Sequence, residues 1–267
     1  VIRHNMFLDV HTHAFHPKIA SKVITKLEDH YGIEPVGNGL LDDLLLRSRR
    51  AGLDRVVVLC AATAEAQVIP ANAFAVELGR HPEVIPFGTL HPDCTDWQSQ
   101  LDRLRAAGVK GLKLHPEFQG FWLDDPRLLP IIEEAQRDFV FLCHIGDRLP
   151  PEKNPSCPYK LANLLDLFPE ARFIAAHFGG FMQWEYALDA LAGRKVWVDT
   201  SSSLEFMDDA TLKGFIAKHP RERILFGSDY PLYDPADEYH RLQQRTGFCD
   251  AEMEELLSNA ASLLDVE

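Results

Sequence analysis

Strand-sized apolar runs alternate with longer amphipathic segments eight times along this chain, and that rhythm constrains the fold more than any other feature. A buried parallel strand reads as a short, near-continuous apolar run, whereas a helix laid on a sheet repeats its apolar face about every 3.6 residues. Strands are predicted at residues 5–10, 55–60, 84–90, 109–114, 139–143, 172–176, 195–199 and 223–226. Helices are predicted at 40–50, 64–80, 96–107, 126–137, 159–168, 183–191, 205–218 and 236–244, with a last one at 251–264 expected to pack on the outside. Parallel strands need a crossover between them, and eight strand and helix pairs in a chain of 267 residues fit a closed (β/α)8 TIM barrel. The expectation is therefore an α/β fold in a single domain, residues 1–267, with an extra C-terminal helix.

Punctuation supports these limits. Pro126 follows Asp124 and Asp125 where a first-turn proline is tolerated, and Gly52, Gly108 and Gly193 follow helices at positions suited to a left-handed turn. Two stretches carry no regular pattern, residues 13–39 and the proline-rich 146–159. Each follows a strand, so each is expected on the catalytic face as a lid or pocket wall.

Composition excludes several partners. A formal net charge of −13 argues against nucleic acid, since phosphate binding needs a basic surface. The longest apolar runs, such as 55–62, are strand-sized and far short of the roughly 20 residues of a membrane helix, and no leader pattern is visible at the start. Five scattered cysteines, never spaced C-x-x-C, read as reduced thiols of a cytoplasmic protein. A small-molecule substrate is the expected partner, with homo-oligomerisation left open.

Barrel enzymes build their sites where strands end. Those positions hold His11 and His13 after the first strand, His91 after the third, His115 after the fourth, His144 after the fifth, His177 after the sixth and Asp229 after the eighth. Residues two apart on a strand share a face, so His11 and His13 can aim at one point. A divalent, zinc-like ion takes neutral imidazoles and a carboxylate and leaves a position open for water or substrate. His11, His13, His144 and Asp229 can supply that set, while Cys143 points to the opposite face. Asp229, in Gly227-Ser-Asp-Tyr-Pro231, is either such a ligand or a turn cap. His177, followed by Phe178 and two glycines, is assigned to proton transfer. Arg148 is a candidate carboxylate anchor or a solvated surface residue. His115, Phe118, Trp122, Phe178 and Tyr233 either line a pocket for a planar ligand or pack a lid. Lys113 lies deeper and is expected to pair with Asp9, which strand alternation places on the face of His11.

Taken in order, Asp9-x-His11-x-His13, Gly111-Leu-Lys-Leu-His115-Pro116, Cys143-His144-Ile-Gly146, Ala176-His177-Phe-Gly-Gly180 and Phe226-Gly-Ser-Asp229-Tyr-Pro231 resemble the amidohydrolase superfamily. The resemblance is to its amidohydrolase-related branch, which includes aminocarboxymuconate-semialdehyde decarboxylase and metal-dependent hydrolases. It implies one divalent metal, commonly zinc, held by the residues matching His11, His13, His144 and Asp229, with His177 in proton transfer and Asp229 sharing that task. Two-metal members of the wider superfamily use a carboxylated lysine from the fourth strand, for which Lys113 is the residue to weigh. The implied function is a metal-dependent hydrolase acting on a small, carboxylate-bearing amide, ester or lactone through a metal-activated water. The alternative is a nonoxidative, metal-dependent decarboxylase of a conjugated or aromatic acid. A barrel whose metal is structural, or whose role is binding, fits less well, because an open ligand set is not a closed thiolate cage.

Overall fold

In the computed structural model, which describes residues 5–266, eight parallel strands form one sheet in sequential order. They are β1 (Leu8–Thr12), β2 (Arg55–Leu59), β3 (Val84–Thr89), β4 (Gly111–Leu114), β5 (Val140–Cys143), β6 (Arg172–Ala175), β7 (Trp197–Asp199) and β8 (Ile224–Leu225). The chain beyond β8 meets β1: Val10 N donates to Phe226 O at 2.9 Å, and Asp229 N to His11 O at 2.8 Å. These bonds close the ring, as the eightfold alternation predicts.

Alternating side chains divide the strands between two cores. Val57, Leu59, Ile85, Phe87, Val140, Leu142, Ile174 and Leu225 fill the barrel interior. Leu112, Leu114, Phe141, Phe173, Val198 and Phe226 face the helical layer instead. That layer comprises α2 (Leu41–Arg50), α3 (Val68–Leu78), α4 (Trp97–Ala106), the short α5 (Pro116–Gln119), α6 (Leu129–Ala135), α7 (Pro158–Leu167), α8 (Trp184–Ala190), α9 (Asp209–Lys218), α10 (Pro235–Thr246) and α11 (Asp250–Leu263).

Three expectations need correction. Residues 13–39 are not wholly irregular, because Ala20–Tyr31 forms a helix, α1. No side chain caps its N-terminus and only Ala20 is fully buried, yet Val23, Ile24, Leu27 and Tyr31 recur at helical spacing on a half-buried face, a periodic signal that the sequence carries. Second, α11 does not simply lie outside. Its last turn sends Ala260, Leu263 and Leu264 into the interior cluster with Leu8 and Val10. Third, Asp9 and His11 do not share a face. The β1–β2 register shifts between Asp9 and Thr12, placing Asp9 opposite Val56 but Thr12 opposite Val58, and such a bulge breaks strand alternation. Asp9 Oδ1 instead accepts from the amides of His11 and Ser228 at 3.0 and 3.1 Å, tying β1 to the segment after β8. No ion pair joins it to Lys113 among the described residues. No helix among them is long and apolar enough to cross a membrane.

Candidate active site

The bulge in β1 turns His11 and His13 together toward the barrel mouth, where each Nε2 lies 3.5 Å from Asp229 Oδ1. Asp229 itself sits at φ +63°, in the left-handed region that side chains rarely adopt, and its Oδ2 accepts from Ser202 Oγ. His177 (φ +61°), Phe178 (φ +49°) and Gly179 (φ +75°) bend the chain after β6 in three consecutive left-handed steps. Such strain is costly and persists only where surrounding structure enforces it. Here the enforcement comes from the His177 amide, which donates to Asp199 Oδ1 at 3.1 Å, and from the Trp184 indole, which donates to His177 O at 3.0 Å.

The state of each imidazole follows from its second nitrogen. His13 Nδ1 donates to Leu59 O at 3.2 Å, and His11 Nδ1 to Asp199 Oδ2 at 2.9 Å. His144 Nε2 donates to Gly146 O at 3.0 Å, and His177 Nδ1 to Ser201 O at 3.0 Å. Carbonyl and carboxylate oxygens only accept, so in each neutral ring the proton is committed outward and the inward nitrogen is a lone pair. Burial pushes the pKa of His11, His144 and His177 down, which keeps those rings neutral. Burial alone would raise Asp229, and what lowers it is positive charge among His11, His13 and His177; with His11 and His177 neutral, that charge is left for a cation to supply.

Lone pairs and a negative charge therefore converge without a proton between them. His144 Nδ1 and His177 Nε2 face each other at 2.9 Å, a contact that calls for a shared proton or cation. Lys113 Nζ, 3.4 Å from His11 Nε2, supplies one cation from below, although burial lowers its pKa to about 8. The donor set His11, His13 and Asp229, all within 4.8 Å of one another, fits a divalent ion in chemistry and number. His144 is one step removed, reaching that group through His177.

The other expected site residues separate. His115 is buried, stacked between Phe118 and His144 at ring distances of 4.1 and 4.0 Å. His115, Glu117 and His144 form a second group with ligand atoms within 4.8 Å of one another, but the near-parallel imidazoles, 12° apart, send their lone pairs along parallel planes rather than to one point. Arg148 is not turned into the cavity: its Nη2 donates to Tyr31 O at 2.9 Å. Phe178 packs on Phe215 in the outer core, Trp122 is exposed beneath the Lys160 ammonium, and the Tyr233 hydroxyl donates to Glu205. His91 is taken up by Gln119 O at 2.8 Å. A small cavity remains, walled by Tyr31, Ile33, Phe181 and Leu232 over His144, His177 and Asp229.

Sequence reasoning missed Asp199, Ser201 and Tyr31. Asp199 ends β7, so the rule applied to histidines at strand ends identifies it once carboxylates are included. Tyr31 continues the helical spacing of Val23, Ile24 and Leu27, and becomes legible once that helix is recognised.

Solved structures share this architecture. A TIM-barrel protein from Bordetella bronchiseptica superposes with a TM-score of 0.74 at 17% identity, covering 97% of this chain and 98% of its own. A dihydroxybenzoic acid decarboxylase from Polaromonas sp. JS666, solved with manganese and the inhibitor 2-nitroresorcinol, gives 0.71 at 16% identity, with 98% and 97% covered. A Pseudomonas putida protein assigned as a 2-pyrone-4,6-dicarboxylic acid hydrolase gives 0.69 at 18% identity, with 98% of each chain covered. Comparison with curated proteins gives no match. The amidohydrolase family model, however, matches residues 8–265, nearly the whole chain, and with the strand-end site just described it places this protein in the amidohydrolase family.

Proposed function

We propose that the chain is a metal-dependent hydrolase of a small amide, ester or lactone. One observation carries this reading: His11 and His13, their Nδ1 atoms committed to acceptor oxygens, turn their Nε2 lone pairs to Asp229, with the His144–His177 pair adjoining them. His11, His13 and Asp229 would hold the ion, zinc or manganese by donor type, with His144 as the fourth candidate. A bound divalent ion supplies Lewis acidity, lowering the pKa of water and polarising a carbonyl.

The chain's own residues then handle protons and orientation. Asp229 Oδ1 faces the ligand nitrogens while Ser202 fixes Oδ2, so the carboxylate is held for proton uptake at one oxygen. His177 Nε2, unprotonated and lining the cavity, is the second acceptor, and Ser201 O keeps its ring from turning. Arg148 gives no support to the expectation of a carboxylate anchor, since it points to α1.

Decarboxylation is the second reading, favoured by the walls. Tyr31, Ile33, Phe181 and Leu232 surround the cavity, and no arginine or lysine lines it among the described residues. A carboxylate placed there loses hydration with no salt bridge to replace it, which favours release of carbon dioxide. The test is turnover by the metal-loaded protein on 2-pyrone-4,6-dicarboxylate and 2,6-dihydroxybenzoate, followed by acid formation and carbon dioxide release. Carbon dioxide without hydrolysis sinks the first reading in favour of the second. In either case His177→Asn should retain metal while the rate falls about 100-fold or more, and full activity would contradict its role.

A further inference from the structure

Helix α1 lies across the barrel mouth on a half-buried apolar stripe, Val23, Ile24, Leu27 and Tyr31, rather than on a fully buried face. Of its twelve residues only Ala20 is buried. Among the described residues, two polar links tie it to the rest of the fold, and both are made by Tyr31. Outside, Arg148 Nη2 donates to Tyr31 O at 2.9 Å. That carbonyl belongs to the last helical turn, which lacks an intrahelical donor and attracts cations. Inside, Tyr31 Oη lies 3.4 Å from His115 Nε2, and its ring meets Phe181 edge-on at 5.8 Å. The space beneath, about 10 Å³ for the centre of a water-sized sphere, is barely room for one water. A ring-sized ligand needs α1 to swing away.

The inner link also has a direction. His115 Nδ1 accepts from the Phe118 amide at 3.5 Å as the N-cap of α5, and the Glu117 carboxyl at 3.6 Å is beyond hydrogen-bond reach. The His115 proton therefore sits on Nε2 and is donated to Tyr31 Oη. That leaves the phenol's own proton free for the cavity. Burial pushes the Tyr31 pKa well above its ordinary value, so the proton stays in place.

We propose, resting on the metal-dependent site described above, that α1 is a lid latched by Arg148 and that Tyr31 is the substrate-positioning residue it carries. Its phenol O–H donates to an oxygen substituent on a flat ring ligand, held against Phe181 and the His115–His144 stack. The lid explains how a nearly filled cavity admits a substrate, and the phenol explains how a site without a lining arginine recognises oxygen.

The probe is 2-nitroresorcinol, titrated calorimetrically into the manganese-loaded full chain. It has no carboxylate to lose and no bond to hydrolyse, so it reports binding whichever reaction the protein performs. Wild type should bind it, and Tyr31→Phe should bind about tenfold more weakly with unchanged metal content. Arg148→Gln should raise amide hydrogen exchange across residues 20–31 about tenfold, and Arg148→Lys, which keeps one donor, should fall between. Equal affinity in Tyr31→Phe overturns the phenol's role. Unchanged exchange in Arg148→Gln overturns the latch, and a wild type that ignores the probe overturns the ring ligand. Probe binding with no turnover on any substrate would instead indict the catalytic reading and leave lid and phenol standing.

Discussion

Replacing Asp199 by Asn should cost the protein its metal affinity while leaving the fold intact. Asp199 Oδ2 lies 2.9 Å from His11 Nδ1, and Oδ1 accepts from the amides of His177 and Ser201, each at 3.1 Å. Those amides can only donate, so the carboxamide oxygen of Asn must stay with them and its NH2 must face His11. An NH2 cannot accept, which forces His11 to accept at Nδ1 and carry its proton on Nε2. That proton points at Asp229 Oδ1, 3.5 Å away, where the ligand lone pair should be. The lost charge-assisted hydrogen bond is worth about 1.5–3 kcal/mol, or roughly 10- to 100-fold in affinity, the range seen when partners behind metal ligands are removed. Competition with a chromophoric chelator at pH 7 measures it, and thermal unfolding of the metal-free proteins checks the fold. Ser201→Ala leaves Asp199 on His11 and should lose less. An Asp199→Asn protein that binds divalent metal as tightly as wild type would refute the tautomer argument.

Three further outcomes can be checked by denaturant unfolding. Gly146→Ala should destabilise by about 3 kcal/mol or more, because Gly146 sits at φ +85° and an added Cβ would overlap Phe181 O, a backbone atom with nowhere to go. Asp9→Asn keeps an acceptor for the His11 and Ser228 amides and should be near neutral, whereas Asp9→Ala strands both donors and should cost about 1–3 kcal/mol. Burial lowers His219 to about 4 from its ordinary 6.5, so between those values the unfolded chain binds the extra proton and stability rises with pH. Its contribution, up to about 3 kcal/mol, is present above pH 6.5 and lost as pH falls to 4. The wild-type advantage over His219→Asn should shrink across that window, and a flat difference would count against it.

Much of this protein is written locally. Eight apolar runs, each followed by an amphipathic stretch, suffice for the barrel, because hydrophobic periodicity is a property of neighbouring residues. Strand ends are equally local, so His11, His13, His144, His177 and Asp229 could be placed at one rim before any coordinates. Local rules failed where a single extra residue or a distant partner decides. Alternation assigns Asp9 to the face of His11, yet the register shift in β1 turns it aside, and bulges leave no mark in a single sequence. α1 is a different case, because Val23, Ile24, Leu27 and Tyr31 at helical spacing, closed by the left-handed Gly32, are local signals from which the helix can be read. Above all, the sequence supplies histidines without saying which nitrogen bears the proton. Asp199 stands 188 positions from His11, and Ser201 stands 24 from His177, and only the closed barrel brings those oxygens to the rings. A lone pair has direction, and its direction is set by what binds the opposite side of the ring. The sequence alone thus determined the barrel and the elements at its mouth. The tertiary structure decided which atoms face one another there, and so what the site can hold.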